Sequence, residues 1–149
     1  MRLLNQAQVQ VADRFAELVR RTSQARLEQL MGSPAGRLIL EAIFSQMPRR
    51  LDGKRAAGTT ASVRWRITRG ADRPPTVYEL ELDGGRCRVI RGERGSEARV
   101  TITVDGAQFL RIATGGDDPT RAYFSGRISL AGDVMLAARL GTLFVIPGR

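Results

Sequence analysis

A two-residue turn between two alternating segments is the feature that most restricts the fold of this chain. Residues 77–90 read VYELELDGGRCRVI, so apolar and polar side chains alternate on both sides of Gly84-Gly85. A period of two is typical of a half-buried strand, and a Gly-Gly pair is typical of a tight hairpin turn that fixes the register. The predicted pairs are Leu82 with Cys87 and Leu80 with Val89 on the inner face, and Asp83 with Arg86 and Glu81 with Arg88 on the outer face.

The first third of the chain has the apolar spacing of helices. It predicts one long helix over residues 5–31, which Gly32 ends. Ser33-Pro34 is typical of the start of a second helix, which is predicted to end at Pro48. Residues 49–61 are predicted to form a loop between the helices and the sheet. The apolar side of the second helix is predicted to carry Leu38, Ile39, Ala42, Ile43 and Met47.

The remaining segments predict a sheet with helices inserted into it. Alternation predicts further strands over residues 62–68, 98–104 and 127–130. An aspartate precedes each of three later apolar segments and is predicted to cap a helix there. These three caps are Asp105, Asp118 and Asp133, and the last helix is predicted to run from Val134 to about Phe144.

Length and composition predict one globular domain. The chain has 149 residues, of which 42% are apolar, and no apolar run is long enough to span a bilayer. No signal peptide or membrane anchor is predicted at the start of the sequence. Cys87 is the only cysteine, so no intramolecular disulfide can form and a reducing cytoplasm is the expected location.

The residue types argue against an enzyme. The chain has no histidine, which removes the commonest general base and metal ligand. Asp117 and Asp118 are adjacent, but Asp118 has a sufficient role as a helix cap before a proline. Cys87 fits a hairpin as a small apolar residue. No nucleotide-binding loop, metal site or cofactor site is predicted.

The basic charge is compatible with an anionic partner, but an arginine-biased genome alone would also produce it, and the near absence of lysine favours that explanation. The net charge of +9 comes from 23 arginines and one lysine, with eight basic residues between positions 49 and 73. Nucleic acid is disfavoured, because glutamates on the neighbouring strand would neutralise Arg64 and Arg66 and the sheet face shows no aromatics for stacking. That face is predicted to be solvated. The hypothesis of docking to an anionic membrane rests on Arg49, Arg50, Lys54 and Arg55, and the alternative is a solvated loop.

The last helix is apolar on nearly every side. Its sequence, VMLAARLGTLFVI, contains one charge, Arg139. A helix that packs on a sheet needs one apolar stripe, so a second surface here must also be covered. Three coverings stay open: the N-terminal helix, a second subunit or a bound apolar ligand.

The order and spacing of these segments resemble the sterol carrier protein family, the non-specific lipid-transfer domains. The resemblance covers about residues 36–145, and residues 1–31 lie outside it. The motifs that carry it are Val100-Thr101-Ile102, Gly115, Asp118-Pro119, Ala122-Tyr123-Phe124, Gly126-Arg127 and Gly132-Asp133.

The resemblance implies an α+β fold with a five-stranded, mixed but mostly antiparallel sheet and helices packed on one face. It divides the chain into an N-terminal helical extension, 1–32, and a lipid-binding domain, 33–149. Helices and sheet would enclose an apolar tunnel for a sterol, a fatty acyl chain or a phospholipid, without catalysis. The wall residues that the resemblance implies are Trp65, Phe109, Ile112, Tyr123, Phe124, Ile128, Leu136, Leu140 and Phe144.

Two other functions stay open. The chain could be a scaffold that presents lipophilic intermediates, such as quinone precursors, to biosynthetic enzymes. It could also be a structural interaction domain whose cavity is filled by side chains. The sequence leaves open whether the N-terminal helix folds back, forms a homodimer or binds a protein partner.

Overall fold

A computed structural model of the chain describes residues 13–92 and 97–145. Residues 13–21 are helical and are named α1. The elements that follow, in chain order, are α2 (Gln24–Gly32), α3 (Pro34–Arg50), β1 (Thr60–Thr68), β2 (Thr76–Asp83), β3 (Arg86–Arg91), β4 (Val100–Asp105), α4 (Gly106–Ala113), α5 (Pro119–Phe124), β5 (Ile128–Gly132) and α6 (Val134–Leu143).

The sheet has five strands in the order β3-β2-β1-β4-β5. The β1–β4 pair is parallel and the other pairs are antiparallel. The predicted α+β class with a mixed, mostly antiparallel sheet is therefore confirmed. All four predicted hairpin pairs are also confirmed, because β2 and β3 pair in the register that the Gly84-Gly85 turn imposes.

The prediction of a solvated outer sheet face is wrong at its centre. Glu79 is only 1% exposed. Its Oε1 accepts hydrogen bonds from Nε and Nη2 of Arg64 at 2.9 and 2.6 Å. The two residues face each other on β2 and β1, so the long arginine side chain removes the carboxylate from water. At the edge of the sheet, Arg88 and Glu81 form the predicted ion pair at 2.6 Å and stay more exposed.

The predicted single N-terminal helix is interrupted. α1 ends at residue 21, and the Ser23 side chain caps α2 by accepting from the Arg26 N–H. A cap needs an extended residue, so Ser23 cannot also continue a helix. Residues 5–12 of the predicted helix lie outside the described residues. Leu27 and Met31 of α2 are buried in the common core, while the division of the chain at residue 32 stays a prediction.

Helix α3 differs from its prediction in two ways. It continues past Pro48 to Arg50, so the proline lies inside its last turn. Leu38 was predicted on the apolar side but is exposed, whereas Leu40 and Phe44 are buried. Four-residue spacing places Leu40 and Phe44 on one face, and Leu38 falls outside it. Among the described residues, no helix is long and apolar enough to cross a membrane.

The three predicted aspartate caps are confirmed. Asp105 accepts from the N–H of Gln108 at the start of α4, Asp118 from Thr120 at α5, and Asp133 from Leu136 at α6. These are the donors that a helix N-terminus leaves unpaired. The caps therefore fix where the helices around the sheet begin.

Asp117 joins the segments on either side of α5. Its Oδ2 accepts from Gln108 Nε2 of α4 at 2.8 Å and from Arg127 Nη1 before β5 at 2.6 Å. Burial raises the pKa of Asp117, but the hydrogen bond from Gln108 and then those from the Asp118 N–H and Arg127 outweigh it and leave the pKa below its ordinary value. The ionised carboxylate therefore holds both ends of the α5 segment in place.

We expect the two glycines of the hairpin to differ in tolerance. Gly84 has a φ of 56° and open space around it, whereas Gly85 has a φ of 92° and a Cβ there would lie 2.7 Å from the Gly53 carbonyl oxygen. Gly85→Ala should lower the free energy of unfolding by about 1–3 kcal/mol. Gly84→Asn should be close to neutral, because asparagine tolerates the left-handed region. Urea unfolding of both variants tests this, and equal losses would contradict the turn geometry.

We expect Asp117→Ala to destabilise the protein by about 1–3 kcal/mol at neutral pH, because the buried Gln108 amide loses its partner. The pKa of Asp117 is lowered in the folded state, so its contribution is present above the ordinary pKa of the carboxyl. It is lost as the pH falls through the lowered value. Urea unfolding across a pH series should show the variant and the wild type converging in acid. Asp83→Ala, at the exposed end of β2, is the control, and a difference independent of pH would contradict the role of the charge.

Candidate functional site

An apolar cavity of about 770 Å³ lies between the inner face of the sheet and the helices. This volume is within the range of small-molecule sites. Each helix from α3 to α6 contributes to the wall, and Phe15 of α1 reaches it as well. The sheet contributes Trp65, Leu80, Ile102, Ile128 and Leu130.

Helix α6 has two apolar faces with different surroundings. Leu136, Leu140 and Leu143 are buried. Met135 and Ala138 line the cavity on the outer side of the helix and are exposed. Because Met135 and Ala138 are exposed, the described part of the N-terminal helix does not cover this side, which borders the cavity and solvent.

Helix α3 has the same two-faced character. Gly36, Leu40 and Phe44 form its buried face. Ile39, Ile43 and Met47 follow each other at helical spacing and line the cavity. The sequence predicted these three residues on the apolar side of the helix but did not assign them to the cavity wall.

Eight of the nine predicted wall residues line the cavity. The exception is Leu136, which is buried in the core and does not line the cavity. The lining residues of α1 and α3 were not predicted, because the resemblance implied wall residues only in the sheet and in the helices that follow β4. The eight lining residues are Trp65, Phe109, Ile112, Tyr123, Phe124, Ile128, Leu140 and Phe144.

One charged residue occurs among the described residues that line the cavity, and it is Arg50 at the end of α3. Its Nη2 donates to Gln46 Oε1 at 3.3 Å, and no described carboxylate forms an ion pair with it. Burial lowers the pKa of Arg50, and the charge of Asp13 opposes this effect. The guanidinium remains protonated, so it is a partly desolvated cation without a salt-bridge partner in the described chain.

Trp65 lies at the aromatic side of the cavity. Its ring is edge-on to Phe44 at 6.4 Å and to Phe109 at 5.4 Å between centroids. The indole Nε1 is buried and has no hydrogen-bond partner in the described structure. Trp65 is also the only tryptophan in the sequence. Its fluorescence therefore reports on the cavity without interference from another tryptophan.

Backbone contacts close the cavity wall where α3 and α6 end. The N–H of Val145 donates to the Arg50 carbonyl oxygen, and that of Asp52 donates to the Leu143 carbonyl oxygen, both at 2.7 Å. Leu51 and Phe144 pair as an isolated antiparallel bridge. The C-terminal ends of the two helices are thus tied together.

Four exposed apolar side chains lie where the cavity meets solvent. We define the rim as Phe124, Val134, Met135 and Val145, which all line the cavity and are all exposed. Across the cavity, the exposed lining residues of α3 are Ala42 and Gln46. The opening therefore lies between α3 and the pair formed by α5 and α6.

The four basic residues assigned to membrane docking lie together at the end of α3. Arg49 and Arg50 occupy its last turn, and Lys54 and Arg55 follow in a turn where Asp52 accepts from both of their N–H groups. Arg55 Nη1 donates to the Thr142 carbonyl oxygen of α6 at 3.3 Å. The group therefore lies beside the C-terminal end of α6, although Arg50 is turned towards the cavity.

A smaller pocket of about 310 Å³ lies between α3 and β3, and Cys87 lines it. Burial raises the pKa of the Cys87 thiol to about 11, so little of it is a thiolate at neutral pH. Beside it, Tyr78 Oη donates to Glu41, which also accepts from Arg91. No acidic or cysteine cluster that could hold a metal occurs within residues 13–92 and 97–145.

Solved structures share this fold. The apo form of sterol carrier protein 2 from Yarrowia lipolytica has a TM-score of 0.56 at 17% identity, covering 70% of this chain and 85% of that one. Palmitated SCP2L2 from Aedes aegypti has a TM-score of 0.58 at 23% identity, covering 73% and 97%. At these identities the likeness concerns the fold alone.

The sequence itself assigns the family. The chain is 31% identical over 111 residues to the peroxisomal multifunctional enzyme type 2 of Mus musculus, an alignment that covers 72% of this chain and 15% of that enzyme. The chain thus spans about 15% of the length of the curated relatives it matches. Residues 40–145, more than half of the chain, match the SCP-2 sterol transfer family, and the chain belongs to that family.

Proposed function

We propose that this chain binds one apolar lipid, such as a sterol or a fatty acyl chain, in the cavity and carries it without chemical change. The observation that carries the proposal is the cavity of about 770 Å³, whose described walls are almost entirely apolar. Removal of a hydrocarbon chain from water stabilises its complex by about 25 cal/mol per Å² of buried surface. Membership of the family and eight of the nine predicted wall residues agree with this site.

The residues around the cavity support a non-catalytic role. The chain has no histidine, and its single thiol lies in the smaller pocket. Gln46, Thr114 and Thr120 are polar lining residues, but none has a base beside it in the described cavity wall. A nucleophile needs such a base or a lowered pKa, so binding is the function that these residues support.

The position of Arg50 suggests how a ligand is oriented. Even partial desolvation of a cation is costly when no salt bridge compensates it, and Arg50 lies beside the Gln46 side chain at the boundary of the cavity. A ligand with a carboxylate at one end would pair with Arg50 while its hydrocarbon chain occupies the apolar interior. The proposed ligand class therefore includes fatty acids.

A scaffold role would use the same cavity. A scaffold that presents lipophilic intermediates must hold them and must also bind the enzyme that uses them. Recovery of a stable complex with a biosynthetic enzyme from cell extract would favour this role over free carriage.

We expect a brominated fatty acid to quench the fluorescence of Trp65 to saturation at about one ligand per chain. Bromine quenches at short range, and Trp65 lines the cavity. Ala138→Phe should weaken binding about tenfold or more, a loss of roughly 1.4 kcal/mol, because Ala138 lines the cavity and the larger ring would occupy ligand space.

Thr142→Phe is the matched control, since Thr142 lies on the same helix but does not line the cavity. It should bind like the wild type. A wild type that shows no saturable quenching, or equal losses in both variants, would count against the cavity as the binding site.

We expect Arg50→Gln to remove the preference for an acid over the alcohol of the same chain length. A hydrogen bond to a charged group contributes about 1.5–3 kcal/mol, so affinity for the acid should fall about tenfold or more while affinity for the alcohol changes little. Arg49→Gln, with an exposed side chain on the same turn, is the control. Equal binding of acid and alcohol by the wild type would contradict the orientation but not the proposed carriage.

A further inference from the structure

Exposed apolar side chains are concentrated at the opening of the cavity. Within the described chain, six large hydrophobic residues are exposed, and four of them form the rim. Phe124 is 80% exposed, Met135 73%, Val145 62% and Val134 40%. Single exposed hydrophobic residues are ordinary, but a group around one opening indicates a surface that meets an apolar partner.

The rim extends along the whole of α6. Val134 and Met135 begin this helix, and Val145 follows its end. A ten-residue helix is about 15 Å long, so the exposed groups form a strip rather than a point. Phe124 ends α5 and packs against Tyr123, with 5.4 Å between the ring centroids.

Cations flank the strip at both ends. Val145 is hydrogen-bonded to the Arg50 backbone, and the exposed Arg55 donates to Thr142 one turn earlier. At the other end, the exposed Arg121 precedes Phe124 by three residues on α5 and is therefore a neighbour on the helix surface. An apolar strip bordered by cations is complementary to a layer whose interior is apolar and whose surface is anionic.

We propose that the rim docks on a phospholipid bilayer that contains anionic lipid, with the cavity opening turned towards the membrane. This inference rests on the proposed carriage of a lipid. Phe124 and Met135 insert between the lipids, while the cations at the ends of the strip contact headgroups. The ligand then passes between bilayer and cavity without exposing its chain to water.

Charge favours the bilayer over a second copy of this chain. A two-fold interface would place the same surface on both partners, so the cations Arg50, Arg55 and Arg121 of one copy would lie in one interface with those of the other. Like charges repel, and the chain as a whole carries +9. An anionic lipid surface turns the same charges into an attraction.

The test is flotation of the ligand-free, full-length protein with phosphatidylcholine vesicles, with and without phosphatidylglycerol. The double variant Phe124→Ser, Met135→Ser should reduce the vesicle-bound fraction about tenfold or more. The matched control is Leu18→Ser, Leu38→Ser, which removes the two exposed large hydrophobic residues outside the rim and should leave flotation unchanged. Both substituted pairs are exposed, and circular dichroism verifies their folding.

A charge series makes the test independent of the rim substitutions. The double variant Arg49→Gln, Lys54→Gln should weaken binding to phosphatidylglycerol vesicles by roughly fivefold per cation removed, and salt should do the same. Arg26→Gln, Arg37→Gln removes equal charge from α2 and from the other end of α3, about 20 Å along that helix. This control should retain binding.

The outcomes separate docking from carriage. Suppose that a brominated acid quenches Trp65 of the wild type in vesicle-free buffer, but the wild type does not float with vesicles. This result overturns the docking inference alone. Wild type that floats but shows no saturable quenching overturns the proposed carriage. Flotation that survives the rim variant, or that both double serine variants reduce equally, also overturns docking. Docking is also overturned if the wild type does not float and forms a dimer that the rim substitutions dissociate, because a second copy of the chain then occupies the rim.

Discussion

The stacking of Phe44 between two other rings is the contact on which the rest of the structure depends. Its ring lies parallel to those of Tyr78 and Phe109, at 4.0 and 5.2 Å between centroids. Trp65 meets two members of this group edge-on. Each aromatic pair contributes about 0.5–1.5 kcal/mol beyond its buried area. Because Phe44 belongs to α3, Phe109 to α4 and the other two to the sheet, the group fixes the distance between both layers and leaves room for a cavity beside it.

The cavity exists because α3 and α6 each have more apolar surface than the core covers. The buried stripe of α3 ends in Phe44, and its second stripe, which includes Ile43, faces the open space. Helix α6 repeats this arrangement with small residues, Ala138 and Gly141, on the side of the cavity. Bulky residues there would fill the space and produce an ordinary core. Each helix thus leaves an apolar face that the core does not cover. Such local departures from good packing are common at functional sites.

The sequence predicted the sheet better than the helices, for a physical reason. A two-residue turn and a period of two determine which strand residues oppose each other, so the β2–β3 register followed directly. A helix presents neighbouring stripes that differ by one residue, which is why Leu38 was predicted to be apolar-facing while Leu40 and Phe44 are the buried residues. Leu136 was assigned to the cavity from the family resemblance, and it is buried in the core instead. The burial of Glu79 depends on how the Arg64 side chain lies across the sheet. The alternation of apolar and polar residues does not predict the conformation of that side chain.

The tie between the C-terminal ends of α3 and α6 has a consequence for evolution. Both of its hydrogen bonds join backbone atoms, from Val145 to Arg50 and from Asp52 to Leu143. Side chains at these four positions can therefore drift without releasing the two helices, provided that the backbone path is kept. Proline is the exception at positions 52 and 145, because it has no N–H to donate. The chemistry presented beside the cavity can thus diverge among descendants of this chain while the wall that supports it stays closed.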